Sequence, residues 1–385
     1  MPRRESAAPV GALSIDDIYR SIDAAAPALE ALAREAETER RPPEALATLL
    51  RDARVPMSKA PRAVGGCELS PADQVDFFAR LSYLNPTAGW ISFNYSGILG
   101  MLGANLPDDG LAEIFGDGAC PLVAAVSAPT GRSEKVEGGY RVTGRWAYAS
   151  GVTCADYATL STLCSEPAGP RLCLLRKEQI ELHDDWNVGA LQGTGSVDVS
   201  ATDVFVPENL TCSPLVQQRG GPQYSRIGFR GYVGGENFGF TLGVAQRMVE
   251  EITALARTKK RVLDPTPVGD RGAFQHELGR TDTVLRATRS YVMDELNRAV
   301  EIADTSDASL SAHDVARLDA AIGWGTEAAV QAAVRLFPYA GAGALHLSSP
   351  IQRALRDLIG SGQHIVATNE TLDIWGKALL EAAGR

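Results

Sequence analysis

Apolar residues recur at threes and fours through IDDIYRSIDAAAPALEALAREAETER and again through PPEALATLLRDA, which opens on proline where a helix tolerates it. Beyond the turn PRAVGGCELSP the same period predicts a helix over ADQVDFFARLSYL. The next segment, TAGWISFNYSGILGMLGANL, is apolar nearly all round, which predicts a buried helix with Trp90, Asn94 and Ser96 inside.

Near Ala119 the period changes to two. Short β-rich runs follow, separated by glycines: PLVAAVSA, GGYRVTGRWAYAS, YATLSTL, RLCLLR, IELHDDW and SVDVSATDVFVP. The helical period then returns from about Gly234 and persists almost to the end in four long segments, which predicts an antiparallel four-helix bundle. The reading is α+β: an N-terminal helical domain over 1–118, a central β-domain over 119–232 and a C-terminal bundle over 233–385. Helices, then strands, then helices is an uncommon order.

Charge narrows the function. With 37 basic against 47 acidic residues the formal net charge is -10, the wrong sign for a nucleic-acid or anionic-membrane surface. The N-terminus lacks an apolar signal core and no window is long and apolar enough to span a bilayer, so a cytoplasmic protein is expected. The six cysteines form no C-x-x-C pair and the five histidines are scattered, so a metal site is not expected. Walker, nucleophile-elbow and dinucleotide-fingerprint motifs are missing too.

Five segments in order resemble the acyl-CoA dehydrogenase superfamily, and most closely its two-component (group D) flavin-dependent monooxygenase branch. They are PRAVGG, TAGW, APTGRSEKVEGGYRVTGRWAYASGV, GTGSVDVSATDVFVP and SSPIQRALRDLIGSGQH. The resemblance implies an acyl-CoA dehydrogenase-like fold and an oxygenase using reduced FMN or FAD, made by a separate NAD(P)H:flavin reductase, with O2 as co-substrate. Its substrate would be a small organic molecule, aromatic or heteroaromatic, and its assembly a homotetramer. The apolar stretch DAAIGWGTEAAVQAAV is consistent with burial against other subunits.

The same resemblance assigns residues. Ser127, Thr130, Tyr148 and Ser150 would surround the flavin, with Ser150 donating near N5; strand alternation in AYASGV would put Tyr148 and Ser150 on one face. Arg261 and Gln275 would hold the phosphate end, although 14 positions separate them, wider than the family's usual spacing. Trp90 and Asn94 would line the substrate pocket.

Many dehydrogenases of the superfamily carry a proton-abstracting Glu nine residues beyond the Arg of an Arg-Asp pair; counted from Arg356, that position is Ile365. The preceding residue is His364, and the monooxygenase branch has a histidine on this helix near the flavin. Helical spacing would put Arg353, Asp357, Gly360 and His364 on one face, with the imidazole above a glycine notch formed with Gly362 that something must approach closely. Arg353 and Arg356 could contact phosphate or pair with acids. His364 could deprotonate a phenol or hydrogen-bond the oxygenated cofactor. Two alternatives stand beside this reading: an acyl-CoA dehydrogenase-type flavoenzyme, and a non-oxygenating enzyme or binding protein on the same scaffold.

Overall fold

The computed structural model describes residues 13–262, 264–306 and 308–383. Helix α1 (Ile15–Glu39) starts at a capping box in which Ser14 and Asp17 satisfy each other's backbone N–H, and it ends at Arg40 in the left-handed conformation. Helix α2 (Glu44–Asp52) follows Pro43. Helix α3 (Pro71–Leu84) is capped by Ser70, and α4 (Pro86–Asn105) by Asn85, whose side-chain oxygen accepts from the Ala88 N–H while its amide donates to Leu29 O. Helix α4 is buried almost all round, as its uniform apolarity predicts. A short helix α5 (Asp108–Phe115) leads into the sheet.

Seven strands form one sheet: β1 (Val123–Val136), β2 (Gly139–Trp146), β3 (Tyr157–Ser165), β4 (Ala168–Arg176), β5 (Glu181–Leu182), β6 (Val199–Pro207) and β7 (Thr211–Cys212). Their order is β5-β6-β2-β1-β3-β4-β7, antiparallel except for the parallel β1–β3 pair. The Trp146 indole lies across Gly131 and Gly144, where a Cβ would come within 2.0 Å and 2.8 Å of it, and its N–H donates to Ser161 O at 2.7 Å. The Trp of GRW is therefore a core residue of the sheet.

Helices α6 (Gly228–Ala256), α7 (Gly272–Thr305) and α8 (Ala312–Ala340) are long. A small two-stranded ribbon, β8 (Lys260–Arg261) and β9 (Asp264–Pro267), sits between α6 and α7. The fourth long segment anticipated from the sequence is broken into α9 (Pro350–Ser361) and α10 (Glu370–Ala383), separated by eight residues that include His364. Helix α6 begins 16 residues after β7 ends at Cys212, and it packs along α3 through Gly235, Gly239 and Gly243. A Cβ at these positions would lie 2.2, 2.4 and 2.1 Å from the carbonyl oxygens of Pro71, Val75 and Ala79. Glycine at every fourth position thus lets two backbones touch, and it fixes α6 against the N-terminal helices, where α4 and α6 wall a cavity.

Candidate active site

Between α4, α6 and the face formed by β1, β3 and β4 lies a cavity of about 490 Å3. Its walls are mostly apolar, with Phe93, Gly97 and Met101 on one side and Tyr232 and Val233 on another. Asn94 is on the wall, but its side chain is committed to the backbone of Ala125: it accepts from that N–H at 2.9 Å and donates to that carbonyl at 3.4 Å. It joins α4 to β1 and has little left for a ligand.

His364 also lines the cavity, from a position that differs from the sequence reading. Helix α9 ends at Ser361, so the imidazole is carried by the turn after it and does not share a helical face with Arg353, Asp357 and Gly360. The close approach at Gly360 comes from a loop, with Ala190 and Leu191 at 3.0 and 3.1 Å from a would-be Cβ, while Gly362 has only Ile359 O at 3.6 Å. The polar side of α9 is structural. Arg353 and Arg356 both pair with Glu37, Arg356 also donates to Gly189 O, and buried Asp357 accepts from the Leu191 N–H at 2.7 Å. Burial pushes the Asp357 carboxyl up to about 6 against the pull of that hydrogen bond and of the two arginines.

The His364 ring is packed edge-to-face against Trp90 at 5.8 Å and Phe93 at 5.9 Å, and Trp90 in turn meets Phe93 and Phe240. Desolvation lowers its pKa to about 4, so the ring is neutral at pH 7, and its Nδ1 has no hydrogen-bond partner. A neutral imidazole has one donor and one acceptor nitrogen. The ring lines the cavity, while its unpartnered Nδ1 is buried.

Trp90 is buried behind this ring pair, and its indole N–H donates to Ser150 Oγ at 3.2 Å. Ser150 belongs to a hydroxyl chain whose polarity can be worked out. Thr194 Oγ1 lies 2.8 Å from Leu191 O, which can only accept, so the Thr194 proton points there. Ser196, at 2.6 Å, must then donate to Thr194, and Ser150, at 2.8 Å, must donate to Ser196. The Ser150 proton is therefore directed inward. What remains of its hydrogen-bonding capacity is a lone pair.

Strand β2 ends at Trp146, so alternation does not govern residues 147–150: Tyr148 is 65% exposed whereas Ser150 is buried. The Tyr148 ring stands in the open 5.8 Å from Trp186. Across from it, residues 127–130 of β1 are all exposed and fall in a register break between Val126 and Gly131, leaving this segment without β3 partners. Ser127 reaches the cavity, and Thr130 donates to Arg145 O at 2.9 Å. An exposed aromatic ring and a stretch of exposed strand backbone without β3 partners fit a flat heterocycle with a polar edge.

Arg261 and Gln275 are elsewhere, both exposed at the α6–α7 connection, with Gln275 donating to Gly269 O at 3.0 Å. Within one chain the structure does not bring them to the cavity. The sequence reading missed the Lys59–Glu236 ion pair, 2.6 Å long and fully enclosed, whose carboxylate lines the cavity. The signal was there to find: Glu236 interrupts the apolar run GYVGGENFGFTLG, and a charge so placed calls for a partner.

Residues 238–369 match the family model described as acyl-CoA dehydrogenase, C-terminal domain. Similar curated proteins include a pigment production hydroxylase of a Rhodococcus species, 31% identical over 51% of each chain. An indole-3-acetate monooxygenase of Pseudomonas putida is 29% identical over 63% of this chain and 62% of that protein. The chain thus spans less than two thirds of the length of either relative. In three dimensions it matches XiaF from a Streptomyces species, solved with FADH2 and glycerol, at a TM-score of 0.85 and 23% identity over 95% of both chains. Residues 238–369 thus match the acyl-CoA dehydrogenase C-terminal domain, and the chain shares the fold of XiaF over nearly its whole length.

Proposed function

We propose that the protein is the oxygenase component of a two-component flavin-dependent monooxygenase acting on a small aromatic or heteroaromatic substrate. The observation that carries this reading is the neutral His364, with an unpartnered nitrogen, in an otherwise largely apolar cavity beside a flat, open cradle. Reduced FMN or FAD, delivered by a separate NAD(P)H:flavin reductase, supplies two electrons and activates O2 when bound, so that one oxygen atom enters the substrate and the other leaves as water.

The chain's own residues bind, orient and exclude water. Ser127, Thr130 and the unpaired backbone of 127–130 would hold the flavin at its ring edge, with Tyr148 covering it and Ser150 offering an acceptor. Trp90 fixes Ser150 from one side and His364 from the other, and the Trp90–Phe93–Phe240 wall keeps water from the reacting end. A ring with its pKa near 4 accepts a hydrogen bond more readily than it retains a proton, so His364 orients and polarises a substrate O–H or N–H. Arg261 and Gln275 would serve the phosphate end of a flavin held by a neighbouring subunit of a homotetramer. Exposed Trp324, Tyr291 and Leu372 on the bundle suit burial in that assembly, which sizing by light scattering would test. Among the described residues no helix is long and apolar enough to cross a membrane, and we place the protein in the cytoplasm.

The test is to add anaerobically reduced flavin to the protein with a panel of aromatic compounds, admit isotopically labelled dioxygen and look for one labelled atom in product. A second reading, a flavin dehydrogenase, draws on Glu236, a carboxylate on the cavity wall. It predicts instead that substrate bleaches bound oxidised flavin without oxygen or reductase, and that no label is incorporated.

A further inference from the structure

The Lys59–Glu236 pair does more than join α6 to the loop that follows α2. Both side chains are almost wholly buried, a placement that is costly unless each group is fully engaged. Lys59 is: its ammonium donates to Glu236 Oε2 at 2.6 Å and to Tyr232 O at 2.9 Å, and lies 3.8 Å from the centre of the Tyr232 ring. Glu236 is not. Among the described residues its Oε1 accepts no hydrogen bond, and the carboxylate lines the cavity beside Gly97, where an added Cβ would stand 3.3 Å from that oxygen. A purely structural ion pair would be expected to have both oxygens satisfied.

Neighbouring polar groups on this wall are already used. The Tyr224 hydroxyl donates to Lys59 O, the Tyr232 hydroxyl to Gly97 O, and Asn94 is taken by Ala125, whereas among the described residues neither Glu236 Oε1 nor His364 Nδ1 has a hydrogen-bond partner. His364 meets α4 at Phe93 and Glu236 meets it at Gly97, contact positions offset by about 6 Å along the helix. That offset suits the two ends of a fused bicyclic ring. No Lys or Arg is among the described residues lining the cavity, and Lys59 already neutralises the carboxylate, so neither an anion nor a second cation is favoured there.

We propose that Glu236 is a specificity-determining residue: its free oxygen accepts a hydrogen bond from a neutral N–H or O–H of an uncharged aromatic substrate, and it disfavours substrates that present a carboxylate at that end. This deepens the monooxygenase reading and rests on it for the word substrate, but its test is a binding measurement that needs no turnover.

The full-length chain, with and without FMN, would be titrated calorimetrically with indole, with its sulfur isostere benzothiophene, which lacks the N–H, and with indole-3-acetate. A hydrogen bond to a buried carboxylate should favour indole over benzothiophene by about tenfold, and indole-3-acetate should bind more weakly than indole. Two variants approach the oxygen differently. Gly97→Ala crowds Oε1 without changing charge, and Lys59→Met/Glu236→Leu removes the pair together so that no lone charge is left buried. In both, the indole preference should fall to near unity while benzothiophene still binds. Equal binding of indole and benzothiophene by the unmodified protein, or a preference that survives the double substitution, would overturn the assignment. Loss of the oxygenation reading would show instead as absence of labelled product, with the binding ratios intact.

Discussion

The direction of the Ser150 hydroxyl can be tested through the redox state of the flavin. Oxidised flavin has a bare N5, a hydrogen-bond acceptor, whereas reduced flavin has N5–H, a donor. If the Ser150 proton is committed along Ser196 and Thr194 to Leu191 O, the hydroxyl can serve only the reduced form. Ser150→Ala should then weaken reduced-flavin binding by one neutral hydrogen bond, about 0.5–1.5 kcal/mol or roughly 2- to 12-fold in Kd. Oxidised-flavin affinity should scarcely move. The two-electron midpoint potential of the bound flavin should fall by about 10–30 mV, because the reduced form loses a stabilising contact. The same substitution leaves the buried Trp90 N–H without its acceptor, a separate cost of about 1–3 kcal/mol in stability. Thermal unfolding of the flavin-free protein measures that cost, and Ser150→Thr, which restores the oxygen, should recover both properties. Anaerobic titration with each redox form reads the affinities. If Ser150→Ala weakened the oxidised form more than the reduced one, the deduced proton direction would be wrong and Ser150 would be a donor.

Three further outcomes are expected. His364→Asn should cut oxygenated product at least tenfold while reduced-flavin affinity stays within about twofold, read by product yield per reduced flavin; unchanged yield would remove the residue from the chemistry. Because the folded pKa of His364, about 4, lies below the unfolded value near 6.5, the unfolded chain binds more protons between these limits; stability from this group is therefore lost as pH falls from 6.5 to 4, by up to about 3 kcal/mol. Asp357, whose carboxyl is raised to about 6, acts in the opposite sense over pH 4–6, so the quantity to measure is the difference between the unmodified protein and His364→Asn by denaturant titration at each pH, in which the aspartate cancels. Gly239→Ala, whose Cβ would meet Val75 O at 2.4 Å, should force α3 and α6 apart and destabilise by about 1–3 kcal/mol or more, seen as a lower melting temperature; a neutral result would mean the contact yields easily.

How far the sequence could be read depended on the range of the interaction involved. Periodicity is local, so the helical ends, the β-rich middle and the fully buried α4 were legible in residue spacing alone. Alternation failed at AYASGV for an equally local reason: β2 ends at Trp146, whose indole needs Gly131 and Gly144 beneath it, and the chain turns immediately afterwards. Helical spacing failed at His364 because α9 closes at Ser361, and the glycine taken as a notch for a ring is filled by Ala190 and Leu191, which no local pattern connects to it.

Long-range polar pairing explains the remaining gaps. The acids near Arg353 and Arg356 could be suspected from composition, but that Glu37 on α1 pairs with both follows only from the tertiary fold, which brings α9 side chains to α1. Glu236 was visible as a charge in an apolar run, yet its partner, Lys59, is 177 residues away. The glycines at 235, 239 and 243 bring the α3 backbone to within touching distance of α6 and hold α6 in the position from which Glu236 reaches the cavity beside Gly97. The residue that sets the chemistry of that wall is therefore positioned by contacts that carry no chemistry themselves. Substitutions along the glycine row should consequently alter ligand preference as well as stability, although none of the three glycines lines the cavity.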